Sequence, residues 1–417
     1  LEDFVADIRF ASRSLRKAPG FTAAVILTLA LGIGANTAIF SVLNGVVLRP
    51  LDFPEPDRLV QVCEEHESVA GFCTNSFVNV RDWNARSRSF ERLGAGRGWS
   101  FVLRGPEGAE SVRGGLADEQ LFRVFEVSPA LGRGFLEDDL GPDAAPVVML
   151  SHSMWRTRFG GDPDLVGRNI TIDDQPSTVV GVLPPGRRIP GLEAVEIWRP
   201  IPFDYSDASN REWRGFRAVG RLQPGIPLED GVADLRSVAA TLGSEYPDTN
   251  AGWGVRGSSL HDSVVGGSRG ALKVFMGAVG FVLLIGCANV ANLLMARSAR
   301  RGREFAVRRS LGAGAGRLAR MLLAEGLLLA ATGAALGLLL AVWAVRTFVT
   351  LAPGDIPRVD SVTVDGTAIL FTVAVAGMAT VLFGVLPALR ASRPNLVSSL
   401  RTGPERGGRM RLGARAG

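Results

Sequence analysis

Three histidines, three cysteines and a few acidic pairs are the residues of this 417-residue chain whose types could do chemistry. The histidines are His66, His152 and His261. Ser151 and His152 are neighbours, but no G-x-S-x-G elbow surrounds them, so nothing lifts the serine into a nucleophile's position. The run Glu64-Glu65-His66-Glu67 collects metal-type donors at a spacing that matches no known metal site, and a solvated acidic turn is its expected form. Asp138-Asp139 and Asp173-Asp174 adjoin turn residues and read as surface carboxylates. Trp83, Trp155 and Trp198 read as core anchors rather than a ligand cage. No G-x-x-x-x-G-K-[ST] occurs, since neither lysine (Lys17, Lys273) has that context. The residues therefore predict no catalytic site, no metal site, no cofactor and no ATP site, and function is expected to come from how the elements are arranged.

The elements are dominated by apolar runs at residues 21–48, 272–296, 321–350 and 368–390. Crossing the hydrocarbon core takes ~20 apolar residues. Residues 21–48, 274–296 and 368–389 carry no charged side chain, and 321–350 carries only Glu325 and Arg346, near its two ends. A buried helix in a soluble protein could account for one such run but not for four. The first run is too long for a signal-peptide core. The expected fold class is a membrane protein with four transmembrane α-helices in a 1+3 arrangement and a large α+β extracytoplasmic domain, residues 49–271, between helices one and two.

Charge sets the direction. Arg9, Arg13, Arg16 and Lys17 precede the first span, eight arginines lie in 297–320, and seven follow residue 389. The 351–367 loop sets Arg358 against Asp355, Asp360 and Asp365. Both termini and 297–320 are thus expected in the cytoplasm, with 49–271 and 351–367 outside. Residues 49–271 hold 24 Lys+Arg and 32 Asp+Glu, a balance of −8, while the whole chain stands at +5, leaving +13 elsewhere. A pI near 9.7 could point to nucleic acid. The excess instead lies at the cytoplasmic ends of spans, where topology and anionic lipid account for it, so the bilayer and not nucleic acid is the expected partner. Cys63 and Cys73 fall outside the membrane, where oxidation is allowed, and the residues leave open whether they pair. Cys287 sits in a span and reads as a packing residue.

Within 49–271, Leu59–Cys63, Val147–Leu150, Asn169–Asp173 and Thr178–Leu183 are predicted strands. Residues 228–242 are a predicted helix with Val232, Leu235, Ala239 and Leu242 on one face. Another should follow the N-caps Asn75 and Ser76, carrying Val80 and Trp83. Residues 1–20 place Phe4, Ile8, Ala11 and Leu15 on one helical face, with the basic residues mainly elsewhere, and Pro19-Gly20 breaks the pattern. That is an amphipathic helix for the inner leaflet. Residues 297–320 are too polar to cross a bilayer, yet Phe305, Val307 and Leu311 offer an apolar face. A short helix before the Gly312–Gly316 break would make a rigid cytoplasmic protrusion suited to docking. Composition alone leans to the plainer form, an arginine-rich loop without a partner. Gly333 and Gly337 form a small-xxx-small pattern, and Gly32 and Gly34 a second close-approach site. Asn36, Asn289 and Asn292 are polar at membrane depth and should each face a helix or a cavity. Glu325 is the lone acidic residue within the spans, near the cytoplasmic end.

Taken in order, these segments resemble the MacB/FtsX-type ABC transporter permeases. The stretches that carry the likeness are LTLALGIGANTAIFSVLNGVVLRPLDFPEPDRLV, then SPALGRGFLEDD with VVMLSHSMWRTRFGGDPDLVGRNITIDDQPSTVVGVLPPG, then NVANLLMARSARRGREFAVRRSLGAGAGRLARMLLAEGLLLA. The subgroup called acidobacterial duplicated orphan permeases is similar over nearly the whole chain. The resemblance implies a periplasmic core domain in two subdomains, residence in the bacterial inner membrane, and a paired second permease module, as a homodimer or a duplicated half. It also implies a cytoplasmic ABC ATPase touching the segment between spans two and three. That contact maps onto Arg303, Glu304, Ala306, Arg308, Leu311, Gly312 and Ala313. Duplicated members carry two modules and this sequence holds one, ending in a polar tail or linker at 391–417, so a first-half fragment is expected. The expected function is that of a non-catalytic permease subunit for export or mechanotransmission, with an efflux role and a periplasmic partner in view. The alternative is a signalling or scaffold protein regulating a periplasmic partner without transport, and a membrane-bound enzyme ranks third.

Overall fold

A computed structural model of the protein describes residues 9, 11–66, 71, 73–105, 108–206, 210–300, 315–351 and 362–392. The chain divides into two compact units, one of Leu1–Val42, Lys273–Phe348 and Thr363–Gly417, the other of Leu43–Leu272 with Val349–Val362.

The second unit is built on an eleven-stranded sheet. Its strands are β1 (Leu59–Glu65), β2 (Asn75–Ser76), β3 (Phe90–Gly105), β4 (Gly108–Ala117), β5 (Leu131–Gly132), β6 (Val147–Leu150), β7 (Asn169–Ile172), β8 (Gln175–Val182), β9 (Ile197–Pro200), β10 (Arg214–Leu222) and β11 (Gly254–Ser259). The order is β11-β1-β10-β3-β4-β9-β6-β8-β5, with β2 on β10 and β7 bridging β3 and β8. β4–β9 and β6–β8 are parallel, and the other pairs are antiparallel. Each predicted strand is present with ends shifted by up to three residues.

Alternation along the strands divides the core in two. Val60, Val62, Val148, Leu150, Phe216 and Ala218 belong to one cluster. Leu59, Val147, Met149 and Val219, their neighbours in sequence, belong to the other. The first is closed by Phe77–Arg86 and Leu228–Glu245, the two predicted helices, through Trp83 and Leu235. The second is closed by the short helix Glu119–Val124 through Leu121 and Phe122. Trp83 and Trp198 are fully buried core anchors, as expected, and Trp155 packs partly buried against the first cluster. Asp173 and Asp174 form the two-residue turn between β7 and β8, both at positive φ (50° and 62°), which is the type I′ signature of a tight hairpin.

Cys63 and Cys73 are joined by a disulfide, with a Cα–Cα distance of 4.7 Å. Closing a loop of sequence separation 10 removes about 3 kcal/mol of unfolded-chain entropy. Cys63→Ala is therefore expected to lower the stability of the outer domain by about that amount. Denaturant titration with and without reductant checks it: reductant should shift the wild type but not the variant.

The first unit holds the apolar helices α1 (Pro19–Leu43), α2 (Leu260–Arg300, whose first residues belong to the second unit), α3 (Ala315–Leu351) and α4 (Gly366–Ser392). Pro19–Leu48, Arg269–Arg297 and Leu323–Leu351 are each long and apolar enough to cross a membrane, and Gly366–Leu382 is a shorter apolar stretch. A π-helical turn, Asn44–Leu48, follows α1.

Candidate functional site in the apolar helix bundle

α1 is the hub of the first unit because small and hydroxyl residues let three neighbours reach it. A Cβ added to Gly34 would lie 2.8 Å from the Gly337 carbonyl oxygen, and one added to Gly337 would lie 2.9 Å from the Ala30 oxygen. Backbone meets backbone there, so only glycine fits on either side. A Cβ on Gly333 would meet the Leu29 side chain at 2.7 Å, and one on Gly32 would meet that of Leu283 at 3.0 Å. Polar groups add direction. Asn36 Nδ2 donates to Gly32 O on its own helix (2.8 Å) and to Val279 O on α2 (2.9 Å). Thr37 and Thr372 share a hydrogen bond of 2.9 Å between α1 and α4, beside the stacked rings of Phe40 and Phe371, 4.1 Å apart. Unsatisfied polar groups are costly in hydrocarbon, so such bonds hold register as well as contact.

Asn289 and Asn292 are not packed as Asn36 is. Both are exposed in this chain. The reason is helical phase. α2 gives the bundle core one stripe, Leu283, Cys287, Val290, Ala291 and Leu294, and positions 289 and 292 fall off that stripe. Cys287 is buried within it, as a packing residue.

At one end of the bundle a buried polar cluster joins three segments. Ser14, in helical residues 11–16, donates from Oγ to Glu325 Oε1 of α3 at 2.5 Å. Arg297 Nη2 of α2 donates to Ser14 O (2.8 Å) and Oγ (3.2 Å), and its guanidinium lies 4.6 Å from the ring of Phe21. Glu325 and Ser14 are 2% and 5% exposed, so this is a desolvated joint rather than a surface contact. Ala11 and Leu15 of the same N-terminal segment are buried. Arg297 and Glu325 flank the stretch that contains Arg303, Glu304, Ala306, Arg308, Leu311, Gly312 and Ala313. Those seven residues lie outside the described residues, as do Phe4 and Ile8. Of the cluster, Glu325 carried a sequence signal as a lone carboxylate in an apolar run. Ser14 carried none, and Arg297 was one arginine among many.

In the second unit the candidate chemistry resolves into structure. Glu64 is not part of a solvated turn. It is 3% exposed, paired with Arg214 Nε at 2.8 Å, and accepts from Asn79 Nδ2 (2.5 Å) and the Ser76 N–H (3.0 Å). Position 64 falls on the same face of β1 as Val60 and Val62 of the first cluster, whereas Glu65, the last residue of the strand, is exposed. Burial pushes the Glu64 carboxyl upward, against the pull of Arg214 and its donors. Ser151 caps the helix His152–Arg158 by accepting from Met154 N at 3.1 Å, and His152 sits edge-on to Trp155. His66 lies 5.1 Å from Trp253, and His261 Nε2 lies 2.8 Å from Val47 O. Among the described residues no three His, Cys, Asp or Glu side chains converge as metal ligands.

A large α+β domain inserted after the first of several apolar helices, with the later helices packed on that first helix through glycine contacts, defines a polytopic membrane protein with a substantial extramembrane domain. The MacB-like periplasmic core domain family matches residues 22–238, and the FtsX-like permease C-terminal family matches residues 276–396. The chain belongs to the MacB/FtsX-type permeases, a family of inner-membrane ABC transporter permeases. It is 28% identical over 288 residues to the macrolide export ATP-binding/permease protein MacB of Chromobacterium violaceum, covering 67% of this chain and 42% of that one. It is 25% identical over 389 residues to the Hahella chejuensis protein of the same description, covering 90% and 55%. The chain thus spans about half the length of these relatives. The crystal structure of the periplasmic region of MacB from Actinobacillus actinomycetemcomitans aligns with a TM-score of 0.37 at 15% identity, covering 55% of this chain and 97% of that one.

Proposed function

We propose that this chain is the permease subunit of an ABC-type export or mechanotransmission complex, driven by a separate cytoplasmic ATPase. In this reading Gly366–Ser392 is a fourth span, both termini and residues 297–320 are cytoplasmic, and the domain at 49–271 is periplasmic. The ATPase contacts Arg303, Glu304, Ala306, Arg308, Leu311, Gly312 and Ala313, and a second permease module completes the assembly. Gly32, Gly34, Gly333 and Gly337 keep the bundle stiff enough to carry motion. The observation that carries the reading is the Ser14–Arg297–Glu325 cluster. It ties both flanks of the proposed docking segment to the N-terminal helix, which leads directly into the hub helix α1. A force on that segment then has a desolvated polar route into the bundle, where a water-exposed contact would be weak. The relatives' description as ATP-binding/permease proteins supports the pairing with an ATPase.

The test uses the full chain in nanodiscs with whichever ABC ATPase co-purifies. Glu304→Ala combined with Arg308→Ala should weaken ATPase binding by about tenfold, the loss of roughly 1.4 kcal/mol of contact. Glu325→Gln should leave binding intact and lower the permease-stimulated hydrolysis rate. Unchanged binding and stimulation in both variants, or no ATPase partner at all, would overturn the proposal.

A further inference from the structure

Arg97 is held differently from the arginines around it. Arg199, Arg211, Arg214 and Arg221 are each committed to a carboxylate, at 3.6, 2.6, 2.8 and 3.4 Å. Arg97 makes no ion pair and no hydrogen bond from its side chain among the described residues, and its Nε is buried without an acceptor. Its guanidinium is held instead by rings. The carbon lies 4.8 Å from the centroid of Trp99, 4.8 Å from that of Trp213 and 5.9 Å from that of Phe216. Tyr205 extends the wall, 4.7 Å from Trp213 and 5.6 Å from Phe216. The cage is built into the fold. Phe216 is fully buried in the core, and the Trp213 ring folds over Gly215, where a Cβ would lie 2.2 Å from it. Any side chain at 215 would displace the indole from Arg97.

Aromatic contact holds a guanidinium by its π-system and leaves its planar N–H edge for an acceptor that matches two parallel donors, which a carboxylate does. Trp99 is 45% exposed. Together with Tyr205 it also forms a wall of a neighbouring cleft of about 330 Å³, which Arg97 does not line and whose other walls include Phe101, Leu116 and Pro202 and the charged Asp139, Asp173 and Arg199. A guanidinium that no described carboxylate engages, stacked on a half-open indole, is a recognition site for one anionic group on an apolar body. We propose that Arg97, Trp99 and Trp213 form a carboxylate-binding site of the outer domain, taking an amphiphilic ligand whose carboxylate meets Arg97 and whose apolar part lies on Trp99. The proposal stands independently of the ATPase reading.

The experiment is calorimetric titration of the full chain in nanodiscs, with empty nanodiscs subtracted, using 2-naphthoate and its neutral isostere 2-naphthamide. A second arm uses N-acetyl-Ala-Ala-Phe with a free or amidated C-terminus, to separate a small-molecule acid from a peptide terminus. In at least one arm the acid is expected to bind saturably and at least tenfold more tightly than its amide. Arg97→Met should abolish that preference, Arg97→Lys should keep part of it, and Trp99→Ala, at a half-exposed position that the fold does not need, should weaken acid and amide alike. Equal binding of acid and amide, absence of saturable binding in both arms, or an Arg97→Met protein that retains the preference would overturn the proposal.

Discussion

Glu64→Ala is expected to destabilise the outer domain by about 3–5 kcal/mol, the cost of leaving one half of a buried ion pair behind. The orphan would be Arg214, whose side chain is only 9% exposed and is stacked 3.6 Å from the Trp253 ring. The neighbouring carboxylate of Asp82 is already engaged by Arg211 at 2.6 Å, which also donates to Asn79 at 2.6 Å. Replacing both Glu64 and Arg214 with methionine should recover much of the loss, because apolar substitutes remove the desolvation penalty along with the pair. Guanidinium unfolding followed by tryptophan fluorescence measures both. A double variant as unstable as Glu64→Ala would mean that the network contributes through its hydrogen bonds to Asn79 and Ser76 and not through charge.

The same carboxyl gives a pH dependence whose sign follows from burial. Its folded-state value is raised above the ordinary glutamate value of 4.5, so the folded protein holds this proton more tightly than the unfolded chain. The group's contribution is fully present below the ordinary value and is lost as pH rises through the folded value. Glu64→Gln lacks that term, so as pH rises above 4.5 its stability should fall less steeply than the wild type's.

Gly337→Leu is expected to pull α1 away from α3. The atoms that the first new carbon meets are the Ala30 oxygen at 2.9 Å and the Gly34 nitrogen at 3.0 Å, both backbone. Neither can yield by changing rotamer, so the cost should reach or exceed the upper end of ordinary overpacking, about 3 kcal/mol. Gly277→Leu on α2 is the control, because nothing lies within 4 Å of its Cβ position. Thermal unfolding in detergent should separate the two, with Gly337→Leu strongly destabilised and Gly277→Leu near wild type. Equal stability would show that the helices are not in backbone contact at this point.

Much of the bundle was legible because apolar runs and small-residue spacing are one-dimensional signals. Gly333 and Gly337 stand four apart and Gly34 faces a helix partner, so the pattern named the residues, though not which glycine meets which. The strands Leu59–Glu65 and Val147–Leu150 were visible as β-branched runs. β10 and β11 were not, since Arg214–Leu222 and Gly254–Ser259 carry arginines and glycines whose inward or outward facing depends on neighbours. Glu64 misled for the same reason: an acidic run looks solvated until its cationic partner, 150 residues later in the sequence, arrives beside it.

Taken alone, the sequence determined that the chain carries long apolar runs around one large domain, that its arginines concentrate at particular ends of those runs, and that it resembles a permease family. The first two are sums over local composition and survive any folding, and the resemblance rests on the order of particular stretches of sequence. Only the tertiary structure decided that Ser14 meets Glu325, that Asn36 turns inward while Asn289 and Asn292 do not, that Cys63 pairs with Cys73, and that Arg97 sits among the rings of Trp99, Trp213 and Phe216. Those outcomes depend on which distant residues share a few ångströms, where hydrogen bonding, desolvation and stacking act and where sequence separation has no bearing.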